Sequence, residues 1–160
     1  YSLQEKERVI IVKTIEEYTN YLLNCCFTDD SFDTEEHEDH LQASWELFEN
    51  YSWEEIYPVW MKHLYMNCKT PEEVINFVNL FVYYEASDRP ISDPIKFIGY
   101  LYYKVDMDKY WNQAGELFEG LAIGLLSKSG LVDPIADPYY NPMKDSRILK
   151  MITALEKEKT

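Results

Sequence analysis

The sequence predicts an all-α fold, an irregular bundle of about seven helices in a single domain spanning residues 1–160. Three observations carry that reading. Helix-start signatures recur along the chain, most plainly Thr70-Pro71-Glu72-Glu73 and Ser92-Asp93-Pro94, where a capping side chain precedes a proline at the first helical position. Apolar residues return at steps of three and four, not two. Only 5 glycines are present, too few for a fold built on tight hairpin turns.

Taken in order, Ser2 and Glu5 form a capping pattern that predicts a long helix to about Phe27. Its stripe is Ile11, Ile15, Tyr18, Leu22 and Cys25 or Cys26. Thr28 to Asp33 reads as a loop. Asp33 and Glu36 repeat the cap and open a second helix to about Glu49, with Leu41, Trp45 and Phe48 on one face. Ser52 and Glu55 start a third, which Pro58 is expected to kink before it continues through Trp60, Leu64 and Tyr65. The fourth, Val74 to Tyr84, is apolar nearly all round and is expected to be buried. The fifth carries Ile95, Ile98, Leu101 and Tyr102. The sixth follows Asp106 or Asp108, runs through Trp111, Phe118, Leu121 and Leu125, and is closed by Gly130. Gly115, Gly120 and Gly124 suggest places where a neighbouring helix approaches closely. Val132 to Pro142 holds three prolines and reads as an ordered surface loop. A last helix, about Lys144 to Lys157, is expected to bury Ile148, Met151, Ile152 and Leu155. The tetrapeptide ELFE occurs at Glu46–Glu49 and again at Glu116–Glu119, too short a match to signal a duplication.

Charge is the most informative feature. The net charge is −14, and between Lys13 and Lys62 there is no lysine or arginine but 13 acidic residues. The rest of the chain carries 16 acids against 15 bases. An acidic half, about residues 14–61, thus adjoins a near-neutral half, 62–160. Such a field repels nucleic-acid phosphates and attracts basic surfaces. Two bland readings stand beside this: acidity as a solubility device, and the bases Lys144, Arg147, Lys150, Lys157 and Lys159 folding back onto the acidic part.

No apolar run reaches the roughly 20 residues that span a bilayer. The three cysteines, Cys25, Cys26 and Cys68, do not form a disulfide framework and point to a reducing, cytoplasmic setting. Nucleophile-elbow, phosphate-loop and dinucleotide motifs are missing, which leans away from catalysis, and no cofactor is implied. Glu116 and Glu119 make a carboxylate pair whose spacing fits a solvated helix edge.

Two functional expectations follow. The first is a non-catalytic interaction domain whose acidic half docks a basic protein surface, as an inhibitor, an immunity-type protein or a mimic of nucleic-acid charge. Asp29, Asp30, Asp33, Glu35, Glu36, Glu38 and Asp39 would supply the field, with Trp45, Tyr51 or Trp53 as anchors. The alternative is a metal- or small-ligand-binding bundle using His37, His40, Asp33 and Glu36, since imidazole and carboxylate three and four apart on a helix can share an ion. No direct nucleic-acid or membrane partner is expected. Any homodimer should form through the C-terminal half, and Tyr139 and Tyr140 are the best surface tyrosines.

Overall fold

A computed structural model describes residues 12–25 and 35–158, with side chains in the second stretch from Asp39 onward. Among these residues there are seven helices and no strand: α1 (Ile15–Leu23), α2 (Glu35–Asn50), α3 (Trp53–Lys62), α4 (Pro71–Tyr83), α5 (Pro94–Lys104), α6 and α7 (Ser146–Glu158). The α6 run comprises Met107–Tyr110, a π-helical turn at Trp111–Gly115, and Glu116–Lys128. The chain divides into two compact units at Met61/Lys62. The charge divides at the same place. Through Met61 there are 15 acidic and 3 basic residues, a net of −12, and beyond it 14 acidic and 12 basic, a net of −2.

In the first unit, α1 starts later than the sequence predicts. Ser2 and Glu5 lie outside the described residues, but Val12 to Thr14 are not helical. The start is a second capping box, in which the Thr14 hydroxyl accepts from Glu17 N at 3.1 Å and the Glu17 carboxylate accepts from Thr14 N at 3.1 Å. Thr14 sits in extended backbone, so a helix running on from Ser2 is excluded there. Ile15, Tyr18, Thr19 and Leu22 form the buried stripe. The α2 helix answers with His40, Ala43, Ser44 and Leu47, and α3 with Ile56, Trp60 and Met61. Trp60 is the centre of this core. Its ring meets Phe48 and Trp53 edge-on at 6.1 and 6.0 Å, and its indole N–H donates to the Thr19 hydroxyl at 2.8 Å. That hydroxyl in turn donates to the Ile15 carbonyl at 2.7 Å, so no polar atom of the trio is left unpaired.

Ser52 and Glu55 cap α3 as expected. Pro58 does not restart the helix, which runs uninterrupted from Trp53 to Lys62. The donor it lacks would have met the Glu54 carbonyl. Both Glu54 and Pro58 are exposed, so the lost bond falls on the solvent side of the helix, where it costs least.

The second unit opens with a π-helical turn, His63–Asn67, whose Leu64 and Tyr65 carbonyls accept from the buried Tyr100 hydroxyl at 3.2 and 3.3 Å. Thr70 caps α4 with Glu73 completing the box and Pro71 at the first turn. Val74, Phe77, Val78, Leu80 and Phe81 are buried while Asn79 is exposed, so α4 is central as predicted. Its end is a left-handed Glu85, φ 56°. Asp93 caps α5, and Asp106 caps α6, which closes on Gly130 at φ 73°.

Gly120 and Gly124 face open space, so the predicted close helix approach is not there. The atoms nearest to a Cβ at Gly115 belong to the ring of Trp111, one turn back on the same helical run. The close approach occurs instead at Gly99 on α5, where a Cβ would lie 2.6 Å from Met151 Cγ and 2.9 Å from Met151 Cβ on α7. The α5–α7 pair is the most extensive helix contact, and Gly99 is what lets it form. Gly99→Ala should therefore destabilise the protein by about 1–3 kcal/mol despite the better helix propensity of alanine. Urea unfolding followed by far-UV circular dichroism would read this, and a stabilised variant would contradict the packing. Along α7 only Ile148 is fully buried; Met151, Ile152 and Leu155 are half-buried, less than the sequence suggests. The two ELFE segments also differ. Leu47 is buried with Phe48 half-covered, whereas Phe118 is buried with Leu117 half-covered, so the same four residues sit in opposite registers.

Candidate interaction surface

The α2 helix carries two stripes. One is the buried row His40, Ala43, Ser44 and Leu47. The other is Leu41, Trp45 and Phe48, which share a face as the sequence predicts; it is open at Leu41 and Trp45, while Phe48 is half-buried against Trp60. Leu41 is 41% and Trp45 57% exposed. With Gln42, Ser44 and Glu49 these side chains line an open groove of about 700 Å³. A tryptophan left more than half in water beside two other large apolar groups is a marked departure from a merely soluble surface. Its surroundings are acidic. Glu49 lines the groove and is exposed, Asp39 is exposed, and the exposed Glu16, Glu17, Glu54 and Glu55 lie elsewhere on the same unit. Gln42 donates to Glu46 at 3.2 Å, and Glu46 also accepts from the buried Tyr18 at 3.0 Å, which fixes the polar side of α2 to the core. Burial first, and then this carboxylate, raise the Tyr18 phenol above its ordinary pKa.

The other proposed anchors behave differently. Trp53 is half-buried, 5.4 Å from the Tyr57 ring and edge-on to Trp60. Tyr51 is half-buried and donates its hydroxyl to the Lys13 carbonyl at 2.7 Å. Both tie the unit together, and Trp45 is the most open of the three. Of the acids, Asp29, Asp30 and Asp33 fall outside the described residues, as do the side chains of Glu35, Glu36 and Glu38. Glu35, Glu36 and Glu38 belong to α2.

For the metal alternative, His40 is buried at 1% exposure inside the first unit, while His37, Asp33 and Glu36 lie outside the described side chains. Among the described residues no group of three histidine, cysteine or carboxylate side chains is placed to hold an ion. His63 stacks on Phe77 at 6.0 Å, and burial lowers its pKa. Cys68 is buried, and burial followed by the nearby Glu73 charge pushes its thiol up to about 11, which makes it a poor nucleophile at neutral pH. Glu116 is exposed and Glu119 half-exposed, an open helix edge. Among the described residues no helix is long and apolar enough to cross a membrane.

A second surface, on the C-terminal unit, has a pattern the sequence reading passed over. From Asp133 the chain repeats an Asx-Pro pair every four residues: Asp133-Pro134, Asp137-Pro138, Asn141-Pro142, and then Asp145 without a proline. Asp133, Asn141 and Asp145 each accept from the backbone N–H two residues on, at 3.0, 3.0 and 2.8 Å. The residues so placed are Ile135, Met143 and Arg147, and Tyr139 holds the same phase. Ile135 is 94% and Tyr139 92% exposed. Tyr140, in contrast, is half-buried and donates to Asp145 at 2.6 Å. Arg147 binds the same carboxylate through Nε and Nη2 at 3.1 and 2.7 Å, and the Leu131 carbonyl through Nη1 at 3.1 Å. The arginine is therefore engaged within its own unit. Its bonds, with those of Tyr140, hold the Asp145 carboxyl well below the usual carboxylate range even though burial opposes this.

These features define an all-α protein with an acidic, groove-bearing N-terminal unit and a near-neutral C-terminal unit. Compared with protein-family models, curated proteins and solved structures, the chain matches none.

Proposed function

We propose that this is a non-catalytic interaction protein whose acidic unit docks a basic protein surface, with the Leu41/Trp45/Phe48 groove of α2 as the contact centre. The observation that carries the reading is Trp45, 57% exposed in an apolar groove with Glu49 on its wall, on a unit of net charge −12. An exposed aromatic in an apolar patch rimmed by charge is the usual anatomy of a binding hot spot. The charge selects the partner: Lys- and Arg-rich surfaces are drawn in and phosphate backbones are repelled. An inhibitor, an immunity-type protein and a charge mimic all fall within this class. The buried Cys68 thiol supports placing it in a reducing, cytoplasmic compartment.

The test is a capture from host lysate on the wild-type chain and on Trp45→Ala in parallel, eluted with rising salt. A basic protein held by the wild type, released by moderate salt and lost from Trp45→Ala supports the reading. The alanine variant should weaken binding by about 2 kcal/mol or more while its stability stays within about 0.5 kcal/mol of wild type. Equal retention on both columns, or retention indifferent to salt, would count against it.

A further inference from the structure

The groove on α2 has two unlike edges. Each residue of an α-helix turns about 100° from the last, which orders the lining residues around the axis. With Trp45 as the floor, Leu41 and Phe48 fall on one side and Gln42 and Glu49 on the other. The first edge is apolar: Leu41 is exposed, and Phe48 is half-buried against Trp60. The second edge is polar and acidic. Gln42 and Glu49 are exposed, and Gln42 Nε2 donates to the Glu46 carboxylate at 3.2 Å. The other oxygen of that carboxylate accepts from the Tyr18 hydroxyl at 3.0 Å, so Glu46 is held in place behind this edge. No lysine or arginine lines the groove, and none occurs between Lys13 and Lys62. From Leu41 to Glu49 the lining covers about 12 Å of helix axis, roughly two turns.

Resting on the docking role proposed above, we infer that the occupant is a basic amphipathic helix. It lies alongside α2, its apolar stripe on Leu41, Trp45 and Phe48 and its lysines and arginines along Glu49 and Glu46. Three features select a helix. The groove is divided lengthwise into an apolar and an acidic edge, and an amphipathic helix carries the same lengthwise division. An amphipathic strand instead sends its two kinds of side chain to opposite faces, and only one of them can meet the groove. The open stripe on α2 has the three-and-four spacing whose ridges interdigitate with those of another helix. Finally, no strand occurs among the described residues, so they offer no sheet edge for an extended peptide to join. Charge then fixes the sign. An acidic amphipathic helix would set carboxylates against Glu49 on a unit of net −12.

Peptide binding to the full chain tests this, read by fluorescence anisotropy of labelled peptides of about 18 residues. The first is built of leucine and lysine with the leucines at three-and-four spacing. The second has the same composition with the leucines spread all round the helix, and the third is the first with every lysine replaced by glutamate. The first should bind about tenfold tighter than the second or better, gain helix by circular dichroism on binding, and weaken with salt, while the third should not bind. Trp45→Ala should weaken the first by about tenfold or more and Glu49→Lys by about threefold to tenfold, with the circular dichroism of both variants unchanged. Equal, salt-sensitive binding of the first two peptides overturns the helix and leaves the acidic docking surface standing. If neither binds and the lysate capture also fails, both readings fall; if neither binds and the capture succeeds, only the helix does. Binding indifferent to Trp45→Ala places the peptide elsewhere on the acidic unit. A wild type that dimerises in sedimentation equilibrium where Trp45→Ala does not places a second copy in the groove. Either of these results also overturns the inference.

Discussion

Trp60→Ala is expected to cost about 4 kcal/mol and to leave the acidic unit largely unfolded at room temperature. The ring is fully buried, touches Phe48 and Trp53, and supplies the hydrogen bond that the Thr19 hydroxyl accepts from across the unit. Truncation removes a large apolar surface from a short core and leaves a cavity that α1, α2 and α3 cannot easily close. The charge compounds the loss, because 15 acids against 3 bases repel one another more strongly when compact than when unfolded. Two controls sharpen the reading. Trp60→Phe keeps a ring but loses the N–H donor, and should cost only about 1–2 kcal/mol, because Thr19 still donates to Ile15. Added salt should raise the unfolding midpoint of wild type and variant alike by screening the self-repulsion. Urea titration with circular dichroism at low and high salt would check both. A loss below about 1 kcal/mol for the alanine variant would mean the ring is not the centre of the core.

Local chemistry was the legible part of this chain. Thr70, Ser52 and Asp93 were readable as helix starts because a cap is written within four residues, Asp106 only as one of two candidates with Asp108, and Gly130 as a stop because a left-handed residue closes that turn. The charge boundary near residue 61 was readable by counting, and it falls where the packing divides. Long-range features were not readable. Gly99 matters because α7 arrives against it, while Gly120 and Gly124, with the more suggestive spacing, meet nothing. The fate of Leu41, Trp45 and Phe48 turned on a rival stripe one position away, with His40, Ala43, Ser44 and Leu47 turned inward. Periodicity finds a face but does not say which way it looks when two rows compete. Thr14 was passed over for the same reason: Ser2 offered an earlier cap of the same kind, and only φ/ψ at Thr14 decides between them. The Asx-Pro ladder was legible too: the three prolines mark an ordered surface loop, and their four-residue period, which that reading did not use, specifies how the loop is ordered.

Asp145→Ala should destabilise the protein by about 2–4 kcal/mol, the low end applying because Arg147 is partly exposed and its charge is screened. Four donors converge on this carboxylate: the Tyr140 hydroxyl, Arg147 Nε and Nη2, and the Arg147 backbone N–H at the start of α7. Removing it uncaps the helix and releases the proline loop at one stroke. The pH dependence follows from the sign of the shift. The carboxyl holds its proton less tightly when folded than when unfolded, chiefly through Arg147. Its contribution is thus complete above the ordinary aspartate value of about 3.9 and is lost as pH falls below that toward the folded value. Tyr140 sets the opposite edge. Burial first, and then Asp145, raise its phenol, so the folded state keeps the proton and that contribution fades as pH rises beyond about 10. Asp145→Asn isolates the charge, since the amide oxygen can still accept the Arg147 backbone N–H. It should flatten the acid limb of the stability curve while costing less than alanine at neutral pH. An Asn variant with the wild-type acid slope would mean that the pairing does not drive the acid response.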